Sequence, residues 1–255
     1  MQLSEFKMSN TFLFSKNTMM ADVIHRDYRL IPIIDRFGIN FGFGNKTIEE
    51  VCFDYQLDTS FFLAIINSYH NPNYFPQLEL QSFSTELIIQ YLSNTHAYYL
   101  DEKMPEIQGY ISQMQLCVID KNVQNIKLID DFLKGYEEEL RKHLQKEDNN
   151  VFPYIMALEQ AFETRKCSEE LIQQIKTTPI ETYERNHDNV EEKLSDLKNL
   201  ILKFLTPVSC KAICQRLLTE LFRLESDLEN HTRIEENVLV PKVKLLEQQI
   251  IETLS

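Results

Sequence analysis

Two stretches of this chain have the residue types and spacing to hold a metal ion. HLQKEDNNVFP, residues 143–153, returns near the C-terminus as HTRIEENVLVP, residues 231–241. Each copy sets a Glu four residues after its His, an acidic residue directly after that Glu, and a Pro six residues beyond it. Residues i and i+4 of an α-helix share one face, a turn apart, so His143 with Glu147 and His231 with Glu235 each form a two-pronged ligand pair. A single His-x-x-x-Glu is an ordinary solvated helical pair. Two copies with the same acidic and proline flanks point to a shared site.

The other histidines test that idea. The chain has six, His25, His70, His96, His143, His187 and His231, and the last four fall one to each of four long helical patterns. Helices joined by short turns bring to equal height residues equally far from the turn. His96 lies about 20 residues before the first turn and His143 about 23 after it, and His187 and His231 flank theirs by about 20 and 22, offsets that differ by about 5 Å or less at 1.5 Å per residue. All four imidazoles are expected in one layer. Each alone reads as an ordinary core or surface residue; four imidazoles and two carboxylates buried together without a partner would carry a heavy desolvation penalty, which a metal removes by binding them.

No Cys joins the set, which disfavours thiolate zinc and iron–sulfur sites, while mixed imidazole and carboxylate ligation suits iron, manganese or zinc. Six ligands divide between two ions, with Glu147 and Glu235 able to bridge through both oxygens, and a bridging oxygen with an open position would complete a redox-active di-iron centre. Inward-facing Glu and His on paired helices are how di-iron carboxylate bundles are built, although here the spacing is i, i+4 with His first.

The rest of the chain must supply those helices. Five Gly and eight Pro in 255 residues leave little turn punctuation for sheets, so the chain is expected to be all-α. Residues 1–20 are polar and mixed and read as a loose tail. Residues 21–70 read as a small helical domain with Thr47 as an N-cap, a second cap at residues 58–60, and a loop, FGINFGFGNKT, holding three of the five glycines. Residues 71–82, rich in Pro and Asn, read as a linker. Residues 83–255 read as an antiparallel four-helix bundle: one helix over about 84–114 bending near Pro105, a second over about 120–149, a short segment after Pro153, a third over about 180–205 and a fourth from about 209 to the high 240s.

A net charge of −13 argues against nucleic acid and anionic membranes as partners. The start lacks a basic, then apolar, signal pattern, and no run of about 20 apolar residues follows, so a cytoplasmic protein is expected. The five cysteines, Cys52, Cys117, Cys167, Cys210 and Cys214, are scattered and read as ordinary thiols. Cys210 and Cys214 lie one helical turn apart, but the sequence offers no second pair beside them to complete a zinc site.

With these residues in hand, the chain resembles the hemerythrin-like proteins and, within them, the iron–sulfur cluster repair di-iron family, over about residues 21–245. The resemblance rests on THAYYLDEKMP around His96, EEELRKHLQKEDNNVFP around His143 and Glu147, ERNHDNV around His187, and LENHTRIEENVLVP around His231 and Glu235. It implies two non-haem iron ions, oxo-bridged, in preference to manganese or zinc, held by those four His and two Glu. It also implies Glu139, one turn before His143, as a carboxylate near the approach to the metal.

The implied function is repair of iron–sulfur clusters damaged by nitric oxide or oxidants, through iron donation or redox chemistry, with damaged iron–sulfur proteins as clients and oxygen or nitric oxide as ligands. The alternative is a gas-sensing module that signals to a partner protein. The chain departs from the family in having only His96 near the first motif and Asn186 where a Glu often precedes the third-helix His. It also has Gly42 and Phe43 where the short N-terminal domain usually carries a Cys-Cys pair, and Cys52 lies too far along to replace that pair. The N-terminal domain is therefore expected to serve in docking or dimerisation, a homodimer being one outcome.

Overall fold

The structure, a computed structural model, describes residues 12–117, 123–184, 190–204 and 210–254; His187 lies outside these. Among the described residues every regular element is helical, beside one isolated bridge between Met19 and Thr47, so the fold is all-α. Two compact units divide the chain, Met1–Phe83 and Ser84–Ser255.

In the first unit, short helices α1 (Met20–Arg26), α2 (Ile31–Asp35), α3 (Ile48–Asp54), α4 (Thr59–His70) and α5 (Gln77–Ser82) pack around Phe61, Phe62, Ile65 and Ile66. Thr47 caps α3 in a reciprocal box: its hydroxyl accepts from the Glu50 N–H and the Glu50 carboxylate accepts from the Thr47 N–H. Asp58 caps α4 through the Phe61 N–H. Gly42, at φ +103, lies in the loop where a left-handed backbone suits glycine.

Two sequence expectations are corrected in this unit. The loose tail does not extend to residue 20: Phe14 is buried, its N–H donates to Asn67 at 2.8 Å, and its carbonyl accepts from the Asn67 amide at 3.0 Å. The linker is partly helical, because α5 buries Leu80 in the unit's core.

The second unit is built from long rods. α6 (Thr85–Ala97) runs through a π-helical turn, Tyr98–Lys103, into α7 (Met104–Cys117). α8 (Val123–Lys146) runs through a second π turn, Glu147–Val151, into α9 (Phe152–Thr164). α10 (Glu169–Thr177) and α11 (Ile180–Glu184) precede α12 (Val190–Phe204), and α13 (Lys211–Ile234) passes through a third π turn, Glu235–Leu239, into α14 (Val240–Leu254). α7 lies beside α8 and α6 beside α9, while α12 lies beside α13 and α11 beside α14. Each rod therefore runs antiparallel to the next, and the ring closes through contacts of α7 with α13 and α8 with α12.

Apolar residues at helical spacing make these rods amphipathic. α8 buries Ile126, Ile129, Leu133, Tyr136, Leu140 and Leu144, and α13 buries Leu217, Leu221, Leu224 and Leu228. Pro153 and Pro241 do not end their rods, and the helix expected to stop near residue 149 continues through its π turn into α9. Pro105, Pro153 and Pro241 each sit two residues past the end of a π turn. A proline has no N–H to give and its ring crowds the carbonyl four residues back, and a turn widened to i→i+5 bonding leaves room upstream of the ring.

Polar ties cross each pair of adjacent rods. Lys103 of the first π turn reaches Glu220 of α13 at 2.8 Å, Gln108 of α7 donates to the buried Asp130 of α8 at 2.7 Å, Lys198 of α12 pairs with Glu225 of α13, and Lys193 of α12 pairs with Glu139 of α8. Burial works against the Lys103 ammonium, but Glu106 and Glu220 outweigh it and hold the group well above the usual lysine range. Sliding a rod by one turn would strand these groups, so they specify register as well as contact.

In the first unit the comparable tie is the buried Asp27, whose carboxylate takes Arg29 at 2.6 Å and the buried His70 at 2.9 Å. Burial pushes this carboxyl up, while hydrogen bonds from Arg29 and His70 more than offset it and leave the group below its ordinary value. Asp27→Ala should destabilise the full chain by about 3 kcal/mol, as expected for a buried charge pair that loses one partner, read as a lower urea midpoint. A change under about 0.5 kcal/mol, the range of ordinary surface substitutions, would show that the pair is not holding the unit together.

Candidate metal centre

The apolar stripe of α13 leads into the site. Leu217, Leu221, Leu224 and Leu228 face the core, and the next positions on that face are His231 and Glu235, both buried. On α8 the corresponding face runs through Tyr136 and Leu140 to His143 and then to the buried Glu147, the first residue of its π turn. His96, in the last turn of α6, enters from the first rod and is buried. All three rods place these residues beside a π turn, a form of helix that concentrates at functional sites.

The side chains meet. His96 Nε2 lies 3.0 Å from His231 Nε2 and 3.4 Å from Glu147 Oε2. His143 Nε2 lies 3.1 Å from Glu147 Oε1, and His231 Nδ1 lies 3.4 Å from Glu235 Oε2. Ligand atoms of His96, His231 and Glu235 all fall within 4.8 Å of one another. Burial pushes the Glu147 carboxyl up to about 8, with neighbouring Asp148 adding to the effect. Burial also raises Glu235 well above the ordinary range, with Glu147 as the next cause. Two buried carboxyl groups that feel each other's charge resist ionising together.

These observations fit a metal. Glu147 Oε2 is buried and accepts no hydrogen bond, so one acceptor is left over by the protein alone. Two imidazole nitrogens sharing an ion at bond lengths near 2.1 Å and a right angle stand about 3 Å apart, the spacing of His96 and His231. The donors are nitrogen and oxygen only, a set suited to iron, manganese or zinc.

His96 is held from behind. Asp148 lies 2.9 Å from its Nδ1 and also accepts from the Ser93 hydroxyl at 3.2 Å. A carboxylate on Nδ1 fixes that proton there and leaves Nε2 free to ligate. Phe152 stacks on the His96 ring at 5.5 Å, and the Tyr99 ring meets His231 at 5.8 Å. Asp148 was missed as a functional residue, although the acidic residue following the Glu in both repeats was the available signal. The second copy behaves differently, since Glu236 is exposed.

Of the residues expected from sequence, His96, His143, Glu147, His231 and Glu235 are thus brought together. His187 lies outside the described residues. Glu139 stands apart from the buried cluster, half-exposed and ion-paired with Lys193.

Comparison with known proteins gives two findings. Residues 106–243 match the Hemerythrin HHE cation binding domain, a span that includes every expected ligand except His96. The chain is also similar to proteins named iron-sulfur cluster repair protein ScdA. Those of two Staphylococcus epidermidis strains are 20% identical over 233 residues, covering 91% of this chain and 100% of the relative. That of Staphylococcus haemolyticus is 20% identical over 231 residues, covering 90% and 99%.

The raised carboxyl groups set a pH dependence. Protons bind Glu147 more tightly in the folded chain than at the ordinary value of 4.5, so their stabilisation is full below that value and is lost as pH rises toward about 8. The thermal midpoint of chelator-treated protein should fall between about pH 5 and 8, and the slope should flatten in a Glu147→Gln, Glu235→Gln variant; equal slopes would contradict the assignment. Asp148→Ala should weaken metal binding about 10- to 100-fold in chelator competition.

Proposed function

The chain belongs to the hemerythrin HHE cation-binding domain family, and from that premise we propose that it is a non-haem di-iron protein that repairs iron–sulfur clusters damaged by nitric oxide or oxidants. The observation that carries this reading is the buried layer in which His96, His231 and Glu235 converge with Glu147 beside them. The repair role is supported by the names of the ScdA proteins, to which the chain is similar along nearly its full length. Intracellular clients follow from that role. Among the described residues no helix is long and apolar enough to cross a membrane.

In this proposal His96, His143, His187, His231, Glu147 and Glu235 would together hold the two ions. When bound, an iron pair supplies reversible one-electron chemistry and a source of iron for a damaged cluster. The protein's own groups do the rest. Asp148 fixes the His96 tautomer, Phe152 covers one imidazole face, and Glu147 and Glu235 release their protons as they take up metal. Glu139, paired to Lys193 at the bundle surface, is proposed as the carboxylate at the approach to the site.

One observation favours a sensing role as the second reading. The loop has Gly42 and Phe43 at the place where the resemblance to the repair family implies a Cys pair, and Cys52 does not compensate: it is buried, and burial pushes its thiol up to about 11, which leaves it unreactive. A sensor needs no such thiols, and oxygen or nitric oxide at the iron would then be read by a partner protein or by a second copy of the chain.

Anaerobically purified protein should carry two irons per chain, and the loaded protein should restore activity to a hydratase whose four-iron cluster has been damaged by nitric oxide, whereas the Glu147→Gln, Glu235→Gln variant should do neither. Loaded protein that restores nothing but changes its oligomeric state on gas binding would overturn repair in favour of sensing. One zinc and no iron would overturn both.

A further inference from the structure

His96 and His231, which touch each other, meet different aromatic rings. Phe152 stacks on His96, whereas His231 meets Tyr99 edge-on, with ring centroids 5.8 Å apart at an interplanar angle of 62°. Tyr99 is fully buried, and its ring lies 5.9 Å from that of the half-buried Tyr98. These two tyrosines open the first π turn, Tyr98–Lys103. Three rings in contact thus lead from a ligand histidine to the edge of the bundle. Phenylalanine would fill the same space, but only a phenol has an O–H that can be given up as an electron and a proton.

We infer that Tyr99 and Tyr98 form an electron relay between the metal layer and the bundle surface, which supplies the second electron when peroxide meets a centre holding a single iron(II). The inference rests on the iron-binding part of the proposed function and not on repair. One hydrogen peroxide takes two electrons: iron(II) gives one and becomes iron(III), and Tyr99 gives the other and becomes a phenoxyl radical. The Tyr99 phenolic proton and one proton from solvent complete the two waters formed.

Tyr98 then passes an electron to Tyr99, which regains a proton from solvent, and Tyr98 releases its own phenolic proton to solvent. The Lys103 ammonium, 5.8 Å from the Tyr98 ring and held by Glu106 and Glu220 at 2.7 and 2.8 Å, disfavours a positive charge on that ring, so electron and proton leave Tyr98 together. A small reductant such as ascorbate closes the sequence by giving the Tyr98 phenoxyl a hydrogen atom. Iron(II) and ascorbate are each oxidised by one electron and one peroxide is reduced to two waters, so atoms and electrons balance.

The test is electron paramagnetic resonance on the full, iron-loaded chain, reduced anaerobically to one iron(II) per chain, mixed with hydrogen peroxide and frozen at once. Expected is an organic radical whose pattern narrows when the tyrosine rings are deuterated and which disappears on adding ascorbate. Tyr99→Phe should lose the signal while keeping iron content and thermal midpoint, since the ring is retained. Tyr98→Phe should keep the signal but slow its decay with ascorbate, because the radical then stays on the buried ring. The same radical in Tyr99→Phe, or loss of iron from that variant, would overturn the relay. Iron content is measured first: a chain that takes up no iron overturns the proposed function itself, whereas iron that peroxide oxidises without a tyrosine signal overturns the relay alone.

Discussion

The structure turns on the cost of placing charge in a helical core. Glu147 and Glu235 occupy positions where the periodicity of α8 and α13 would otherwise set leucines, and they are buried, Glu147 beside His96 and His143 and Glu235 beside His231. Left alone, such groups hold protons above the usual range, keep one oxygen without a hydrogen bond, and weaken the fold as pH rises. A divalent ion reverses each of these effects, because it needs the carboxylates ionised and the imidazole lone pairs unprotonated. The same residues that make the bare bundle strained make it a ligand set.

Holding that set in place requires the rods to keep their register and to bring their ligands to one height. The cross-helix ties of Lys103 to Glu220, Gln108 to Asp130 and Lys198 to Glu225 fix neighbouring rods against sliding. The three π turns then place a change of helical pitch directly at the ligand layer. Asp148 adds the final constraint, since a His96 ring free to rotate would not keep Nε2 toward His231.

Much of this was legible in the sequence because it is periodic. The rods follow from apolar spacing, the ligand pairs from i, i+4 spacing, and the meeting of His96 with His231 from counting residues to the turns. Two things were not. The π turns leave no trace in apolar periodicity, and their only signal, the proline six residues after each Glu, reads equally as a helix end. Asp148 and Glu236 occupy equivalent places in the repeats, yet among the described residues Asp148 meets a histidine, His96, while Glu236 is exposed.

In the proposed di-iron reading the buried layer is a cage for two ions. X-ray diffraction from crystals of the iron-loaded protein, measured on both sides of the iron absorption edge, tests it most directly. Expected are two anomalous peaks between the rods, each contacted by imidazole nitrogen, with Glu147 and Glu235 touching both and His96 ligating through Nε2. A single peak, a peak at the bundle surface, or a His96 ring turned away from the iron would contradict it.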